Sequence, residues 1–479
     1  MISTKRYTSR NAQKLFTLLL AAGLVLAPAG TLAGTVYAAS ASSMVTKPAN
    51  IEVDSQSVTW EFPPFVQNGT TFAPLRQAAA ALKGKVKWNQ ATQTVQIESN
   101  GDIISHQGGT NIITVNDVVL TLPAASKNMG GTLMIPLRSL SDAMKSTLQL
   151  TNTSTHMNIV LKSDRVTEVR KEAVFIDSYL LKSGFSGIAL VATDGEVELR
   201  KGYGLSKENI LVKPDQKSRI ASITKGFTAA AIMQQVEAGK LSLTDKLSKY
   251  VKGIDRGDEI TLHMLLSHTS GLPSNFTREE GITLEDTLDE IRTKKLMAEP
   301  GAEYRYSNNG FILLAYILEQ VTGEEYGSYL QKHVFTPLGM KDTGTATKST
   351  NTIKGFVDQK GIWTPADYYV SQSGTGTLYS TVDDLLKWDQ ALKNGKVVSD
   401  ESLEKMFTPY SEKDYGYGWM ISETTKGLNV FHNGSGTGYS TGIMRDLGNG
   451  VTIILLGNHA SMDTITMMND IRKQVTGTK

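Results

Sequence analysis

No cysteine occurs among the 479 residues, which excludes disulfides, thiolate metal sites and a lipidated N-terminal cysteine. A chain without covalent staples takes its stability from a sizeable core, and this length permits one, with two domains as the natural division. The seven histidines are scattered, with no HExxH and no i,i+4 pair, so no cofactor or metal site is expected. Low-complexity tracts are missing as well. Beyond the first forty or so residues no apolar run is long enough to span a bilayer, and Val451 to Leu456 is a strand-length core segment.

What is present begins with the N-terminus. Lys5, Arg6, Arg10 and Lys14 precede a Leu- and Ala-rich run from Leu15 to Ala27, and small residues lead to Val36-Tyr37-Ala38. This is the pattern of a cleaved secretory signal peptide over residues 1–38. The rival reading is a retained anchor, since nothing charged lies between Leu15 and Ser40. Without those four cations Lys+Arg falls from 49 to 45 against 47 Asp+Glu, a formal charge of −2. The balance gives no reason to expect a nucleic-acid partner. A secreted or cell-wall-associated protein is expected.

Residues 45–162 contain an internal repeat with a period of 62 residues, in which Ala73-Pro74-Leu75-Arg76 recurs as Ile135-Pro136-Leu137-Arg138. Each copy is followed by a short amphipathic helix (Ala78 to Leu82; Leu140 to Met144). Alternating strand patterns come next, Val86 to Trp88 and Val95 to Ile97 against Leu148 to Leu150 and Met157 to Val160. Asn68-Gly69 and Gly130-Gly131 supply turns ahead of each unit. The unit resembles the copper amine oxidase N-terminal-like, or stalk, domain of exported Gram-positive proteins, over about 110 residues. His106 and His156 read as surface residues rather than ligands. The module is expected to serve as a spacer or as a contact with the cell wall.

A charged connector, Lys162 to Lys171, leads into a second domain over 166–479. Ala173 to Lys182 reads as a helix, and Ser186 to Thr193 and Val197 to Tyr203 as a hairpin turned by Asp194-Gly195. Residues 218–239 read as one Ala-rich buried helix closed by Gly239. A mostly helical region follows to about residue 410. Strands resume at Tyr417 to Ile421, Leu428 to His432, Ser440 to Arg445 and Val451 to Leu456, and a last helix runs from about Asp463 to Gln474. Strands at both ends around a helical middle imply an α+β fold, with one antiparallel sheet split in sequence, covered by helices and flanked by an all-helical insertion.

Ser222 and Lys225 stand three residues apart at the start of the buried helix, so both side chains leave one face. A serine there can lose its proton to the neighbouring amine and attack a carbonyl, while a local backbone N–H holds the oxyanion. Ser-x-x-Lys alone is a weak signal, because Ser402 and Lys405 repeat it in a solvated helix. Three further pieces add to it. Tyr306-Ser307-Asn308 is the only Tyr-x-Asn in the chain, His432-Asn433-Gly434-Ser435 ends a strand in a Gly-rich turn, and His268-Thr269-Ser270-Gly271-Leu272 ends a helical segment. Each of the three is by itself compatible with a plain loop, strand end or cap.

Together these pieces resemble the serine β-lactamase and penicillin-binding protein superfamily, in its class C-like branch of β-lactamases, D,D-peptidases, D-aminopeptidases and family VIII esterases. Arg219 to Lys225, Val236 to Leu247, Leu265 to Pro273, Pro300 to Asn308 and Tyr415 to Trp419 carry the resemblance over about 300 residues. It implies that Ser222 is the acylated nucleophile, Lys225 its amine partner and Tyr306 the proton shuttle. Asn308 is then expected to bond Lys225 and a substrate amide. His432, Gly434 and Ser435 line the substrate site, with the N–H groups of Ser222 and Ser435 as the oxyanion hole. Lys225 acts either as a neutral base or as a cation supporting Tyr306, and both roles stay open. The departure is His432, where many relatives carry lysine in a Lys-Thr-Gly motif. An imidazole of ordinary pKa about 6.5 is a weaker carboxylate clamp, which argues against efficient β-lactam hydrolysis.

The expectation is an exported serine hydrolase cleaving D-amino-acid peptides of peptidoglycan type, or small acyl esters, through an acyl-enzyme on Ser222. The alternatives are a penicillin- or wall-peptide-binding protein with little turnover, or a β-lactamase. A copper oxidase is excluded, since neither a histidine cluster nor a cofactor-forming tyrosine motif is present.

Overall fold

The repeated Pro-Leu-Arg motif marks the point where strand turns into helix. In the computed structural model, which describes residues 44–164, 166–279, 281–366 and 374–477, each motif follows a strand and opens a helix. The expected signal peptide, residues 1–38, lies outside the described residues. In the first domain the elements are β1 (Ala49–Val53), β2 (Thr70–Pro74), α1 (Leu75–Ala81), β3 (Lys85–Asn89), β4 (Thr94–Ser99) and β5 (Asp102–Gln107). Then come β6 (Thr132–Pro136), α2 (Leu137–Ala143), β7 (Thr147–Asn152) and β8 (Met157–Lys162).

Both helices start three residues earlier than the apolar spacing suggests, because Pro74 (φ −65°) and Pro136 (φ −52°) already hold the dihedral a helix start needs. β2 and β6 pair antiparallel with Ala73 opposite Ile135, so the two copies of the motif meet at the centre of one sheet. β8 pairs antiparallel with β7 and parallel with β1. Leu75, Ala78, Leu137 and Leu140 from the helices pack with Ile97, Ile159 and Leu161 in one core. His106 differs from its expected surface position. It is buried, with Nδ1 2.7 Å from the Ile112 carbonyl and Nε2 2.7 Å from Ser126 Oγ.

The second domain is built on α3 (Val174–Lys182), β9 (Gly187–Thr193), β10 (Glu196–Tyr203), α4 (Thr224–Glu237), α5 (Asn308–Thr322) and α6 (Val382–Lys393). β11 (Met420–Thr424), β12 (Gly427–Gly436), β13 (Tyr439–Asp446), β14 (Val451–Gly457) and α7 (Thr464–Thr476) complete it. A seven-stranded antiparallel sheet runs in the order Glu168–Val169, β10, β9, β14, β13, β12, β11. The N- and C-terminal strands of the domain meet at β9 and β14, as the split pattern implies. Both faces are buried, so the strands read as continuous apolar runs. Ile188, Leu190 and Leu456 face the core that holds Phe227 of α4 and Phe311 of α5. Ala189, Val191 and Leu455 face Ile176 of α3 and Met468 of α7.

The single helix expected over 218–239 is interrupted. Ser218–Arg219 pairs as a strand with Tyr379 and Ser380, Ala221–Ile223 forms a 3₁₀ turn, and only then does α4 begin, ending before Gly239 at φ +68°. Within the connector Glu168–Val169 pairs with β10, and the second domain also touches the first directly. Leu205 and Leu211 of the second domain pack into the core of the first, and the Asn209 side chain both donates to and accepts from the Thr121 backbone. Among the described residues no helix is long and apolar enough to cross a membrane.

Candidate active site

α4 is buried on nearly every side, and Lys225 near its start has no exposed surface, whereas its other charged residue, Glu237, is exposed at the far end. The 3₁₀ turn before it brings Ser222 to the wall of a cleft. Ala221 stands there at φ +46°, a left-handed conformation that costs a residue with a Cβ about 1 kcal/mol and that turns the backbone between strand and helix.

Two side chains converge on the Ser222 hydroxyl. Lys225 Nζ lies 3.1 Å from Ser222 Oγ, and Tyr306 Oη lies 2.9 Å from it. Lys225 Nζ also donates to Asn308 Oδ1 (2.9 Å) and to the Thr375 carbonyl (3.1 Å) and hydroxyl (2.8 Å), and it sits 4.8 Å above the centre of the Tyr306 ring. Thr375 Oγ1 in turn donates to Asn308 Oδ1 at 2.6 Å. Burial first, and then the positive charge of Arg278, hold the Lys225 amine well below the usual lysine range.

Tyr306 and Asn308 flank the N-cap of α5. The cap is Ser307, whose Oγ accepts from the Gly310 N–H at 3.1 Å and donates to the Pro273 carbonyl at 2.9 Å. The Ser307 N–H donates to His268 Nδ1 at 3.0 Å, which ties the His268 segment to the tyrosine motif. His268 is fully buried against the Tyr306 ring, at 4.3 Å between centroids, and its pKa is pushed far down by burial and then by Lys225 and His432. Asn308 Nδ2 donates to Ser274 Oγ at 2.9 Å.

His432 departs from the expected substrate-binding role. It is 2% exposed and sits behind the cleft wall rather than in its lining. Nδ1 lies 2.6 Å from the Asn433 carbonyl, which only accepts, so that nitrogen carries the proton. Nε2 then accepts from the Tyr415 hydroxyl at 3.0 Å. Burial, with Lys225 adding to it, lowers the pKa to about 3, so the ring is a neutral internal strut. Gly434 belongs to the site through backbone proximity. A Cβ there would stand 2.4 Å from the Ile220 carbonyl and 3.1 Å from Ala221 Cβ, so β12 runs directly against the serine turn. Ser435, one residue on, does line the cleft.

The cleft encloses about 420 Å³, with Ser222, Arg278, Tyr306, Asn308, Thr375 and Ser435 among its walls. Sequence reasoning missed Thr375 and Arg278. Both lie in loops whose approach to the site depends on the folded helical region, and only the glycines around Thr375 set it apart. Among the described residues no group of three or more His, Asp or Glu could hold a metal ion.

Comparison with known proteins bears on the whole arrangement. Residues 170–475 match the family model described as Beta-lactamase, and residues 52–159 match the Copper amine oxidase N-terminal domain. The Putative penicillin-binding protein PbpX of Bacillus subtilis (strain 168) is 32% identical over 323 residues, covering 64% of this chain and 82% of that protein. A penicillin binding protein from Bacillus halodurans superposes with a TM-score of 0.58 at 27% identity, covering 62% of this chain and 98% of the other. The octameric penicillin-binding protein homologue from Pyrococcus abyssi does so at 0.59 and 30% identity, covering 64% and 77%. These matches, over a split antiparallel sheet and a buried helix preceded by the repeated module, place this chain in the beta-lactamase family, in a penicillin-binding-protein-like serine hydrolase fold behind a copper amine oxidase N-terminal domain.

Proposed function

We propose that the protein is an exported serine hydrolase that cleaves ester or amide bonds through an acyl-enzyme on Ser222. D-amino-acid peptides of the kind found in peptidoglycan, or small acyl esters, are its substrates. The observation that carries this reading is the Ser222 hydroxyl held between an amine at 3.1 Å and a phenol at 2.9 Å, at the wall of an open cleft.

The environment of Lys225 favours the base over the cationic role. A neutral amine has two hydrogens and one lone pair. Burial and the positive charge of Arg278 disfavour the ammonium. In the neutral form the two hydrogens are shared among Asn308 Oδ1 and the Thr375 carbonyl and hydroxyl oxygens, while the lone pair turns to the Ser222 proton. Ser222 Oγ then bonds to the substrate carbonyl carbon. The oxyanion is assigned to the N–H groups of Ser222 and Ser435, a reading supported by the close approach of β12 at Gly434 to the turn before Ser222. The proton on Lys225 passes by way of Tyr306 to the leaving group as its bond to the carbonyl carbon breaks. Water reverses the sequence, giving its proton to the same pair and releasing the acid from Ser222.

Incubation with a fluorophosphonate or a fluorescent penicillin, read by intact mass, tests the reading. One covalent adduct on the wild type and none on Ser222→Ala is expected. Equal labelling of the two proteins would rule the reading out.

A further inference from the structure

The cleft around Ser222 contains less charge than the sequence motif suggests. Lys225 is buried behind Ser222, Asn308 and Thr375, and its amine is spent on them. His432 stands in the motif position where a cationic lysine would meet an anion, but it is enclosed with both ring nitrogens occupied. The wall along β12 therefore presents Asn433 and Ser435, both uncharged.

The part of the lining contributed by the loop with Phe276 and Arg278 differs. Ser274 is bonded to Asn308, and the chain then runs through Phe276 to Arg278 at the rim. Among the described residues lining the cleft, Arg278 alone carries a formal charge. Its guanidinium lies 4.7 Å from the centre of the Phe276 ring, and Phe276 is itself mostly buried. Stacking on an aromatic face holds a guanidinium in place while its N–H edge stays available. The residue is exposed, and among the described residues no carboxylate forms an ion pair with it. Its charge also reaches the reaction centre, since it is the one charged group that acts on the Lys225 amine.

We propose that Arg278 is a specificity residue that binds a carboxylate of the substrate at the part of the cleft lined by Phe276 and Arg278 and not along β12. Anion recognition is thereby assigned to the loop that carries Arg278 and not to β12. This rests on the serine hydrolase reading above and adds a substrate class to it, acyl compounds bearing a carboxylate within reach of a planar two-pronged donor. The carboxylate can come from the acyl part or from the leaving group, and the two sources are separable by substrate.

The test uses the full-length protein and two matched substrate pairs. p-Nitrophenyl butyrate is set against the mono-p-nitrophenyl ester of succinic acid, whose carboxylate is in the acyl part. The methyl ester of 3-acetoxybenzoic acid is set against 3-acetoxybenzoate, whose carboxylate is in the leaving group. The ratio of kcat/KM, anionic over neutral, is measured for wild type, Arg278→Gln and Arg278→Lys. For one of the two pairs, Arg278→Gln is expected to lower the ratio by about 10- to 100-fold through KM, the scale of a lost charge-assisted hydrogen bond. Arg278→Lys restores part of it, and added salt shrinks the wild-type preference because the group is exposed. A ratio unchanged by Arg278→Gln in both pairs, with turnover of the neutral esters still dependent on Ser222, overturns the proposal and leaves the hydrolase standing. Turnover of no ester in a Ser222-dependent manner removes both.

Discussion

Lys201 of the hydrolase domain and Asp102 of the repeated module form an ion pair at 2.9 Å with almost no access to solvent. The pair belongs to a closed cluster. Asp102 also meets Lys145 at 2.7 Å, Lys201 also meets Asp177 at 2.9 Å, and Tyr203 Oη donates to Asp177 at 2.9 Å. Lys145 Nζ reaches across to the Gly202 carbonyl at 2.8 Å. Two ammonium groups and two carboxylates thus neutralise one another where the domains meet. Removing one partner from a buried cluster strands the charge of the other, which costs about 3–5 kcal/mol. Asp102→Ala is therefore expected to lower the unfolding free energy by that amount, read by urea denaturation. A loss below about 1 kcal/mol would mean that the cluster is wet and the domains are loosely joined.

The same carboxylate gives the join a pH limit. Burial raises the Asp102 pKa, but Lys145 and Lys201 more than reverse this, and the net position is below the usual aspartate value. A depressed carboxyl contributes stability that is complete above its unfolded pKa of about 3.9 and is lost as pH falls through the lower folded value. Thermal midpoints measured downward from pH 5 should fall along this limb in the wild type. In Asp102→Asn the part due to this group should be missing.

How much of this was legible beforehand follows from the range of the interactions. The repeat, the Asp194-Gly195 hairpin and the apolar runs of the split sheet are local patterns, and they form close to where the alternation places them, although the edge strand begins at Met420 instead of Tyr417. Tyr306, Ser222, Lys225 and Asn308 are joined in one chain of hydrogen bonds. His432 illustrates what spacing cannot convey. Its motif position was readable, but its enclosure depends on Tyr415, a contact made only in the folded sheet. Ala221 at positive φ gave no signal, because alanine is a strong helix former and only the strand pairing of Ser218–Arg219 forces the break. The interdomain cluster was equally hidden, since its four charges come from residues 102, 145, 177 and 201.

Lys225 should show stability and activity pulling in opposite directions. Its folded pKa lies well below its unfolded value, so below about pH 10.4 the unfolded chain binds the extra proton and the buried amine weighs against folding. Lys225→Met is expected to raise the unfolding free energy at pH 7 by about 1 kcal/mol while abolishing acylation of Ser222. In the wild type, acylation falls as pH drops through the Lys225 pKa, because the base becomes protonated. A stopped-flow pH profile of p-nitrophenyl ester hydrolysis reads that limb, and a Tm lowered by Lys225→Met would contradict the argument.

Tyr306→Phe isolates the phenol. The ring that packs on His268 stays, while the hydroxyl 2.9 Å from Ser222 is removed. Loss of a positioned proton-transfer group costs typically about 10²- to 10⁴-fold, and it should fall on kcat rather than on KM. Substrates with poor leaving groups should suffer more than p-nitrophenyl esters, whose leaving group needs little protonation. Equal losses for the two classes would assign Tyr306 to positioning alone.

Gly434 tests whether the approach of β12 to the serine turn is what builds the oxyanion site. A methyl group there would stand 2.3 Å from Thr441 Oγ1 and 2.4 Å from the Ile220 carbonyl, and both distances are far inside contact. Thr441 is a side chain, and truncating it relieves the first clash. Ile220 is backbone two residues before Ser222, and it has no such freedom. Gly434→Ala should therefore push Ser435 away from Ser222 and reduce kcat by about 10²- to 10³-fold, the scale of one lost oxyanion donor. It should also destabilise the fold by about 1–3 kcal/mol through overpacking. Adding Thr441→Ala should recover part of the stability and little of the rate, because the carbonyl clash that separates the two N–H groups persists. Recovery of both together would place the damage in core packing and leave the oxyanion geometry intact.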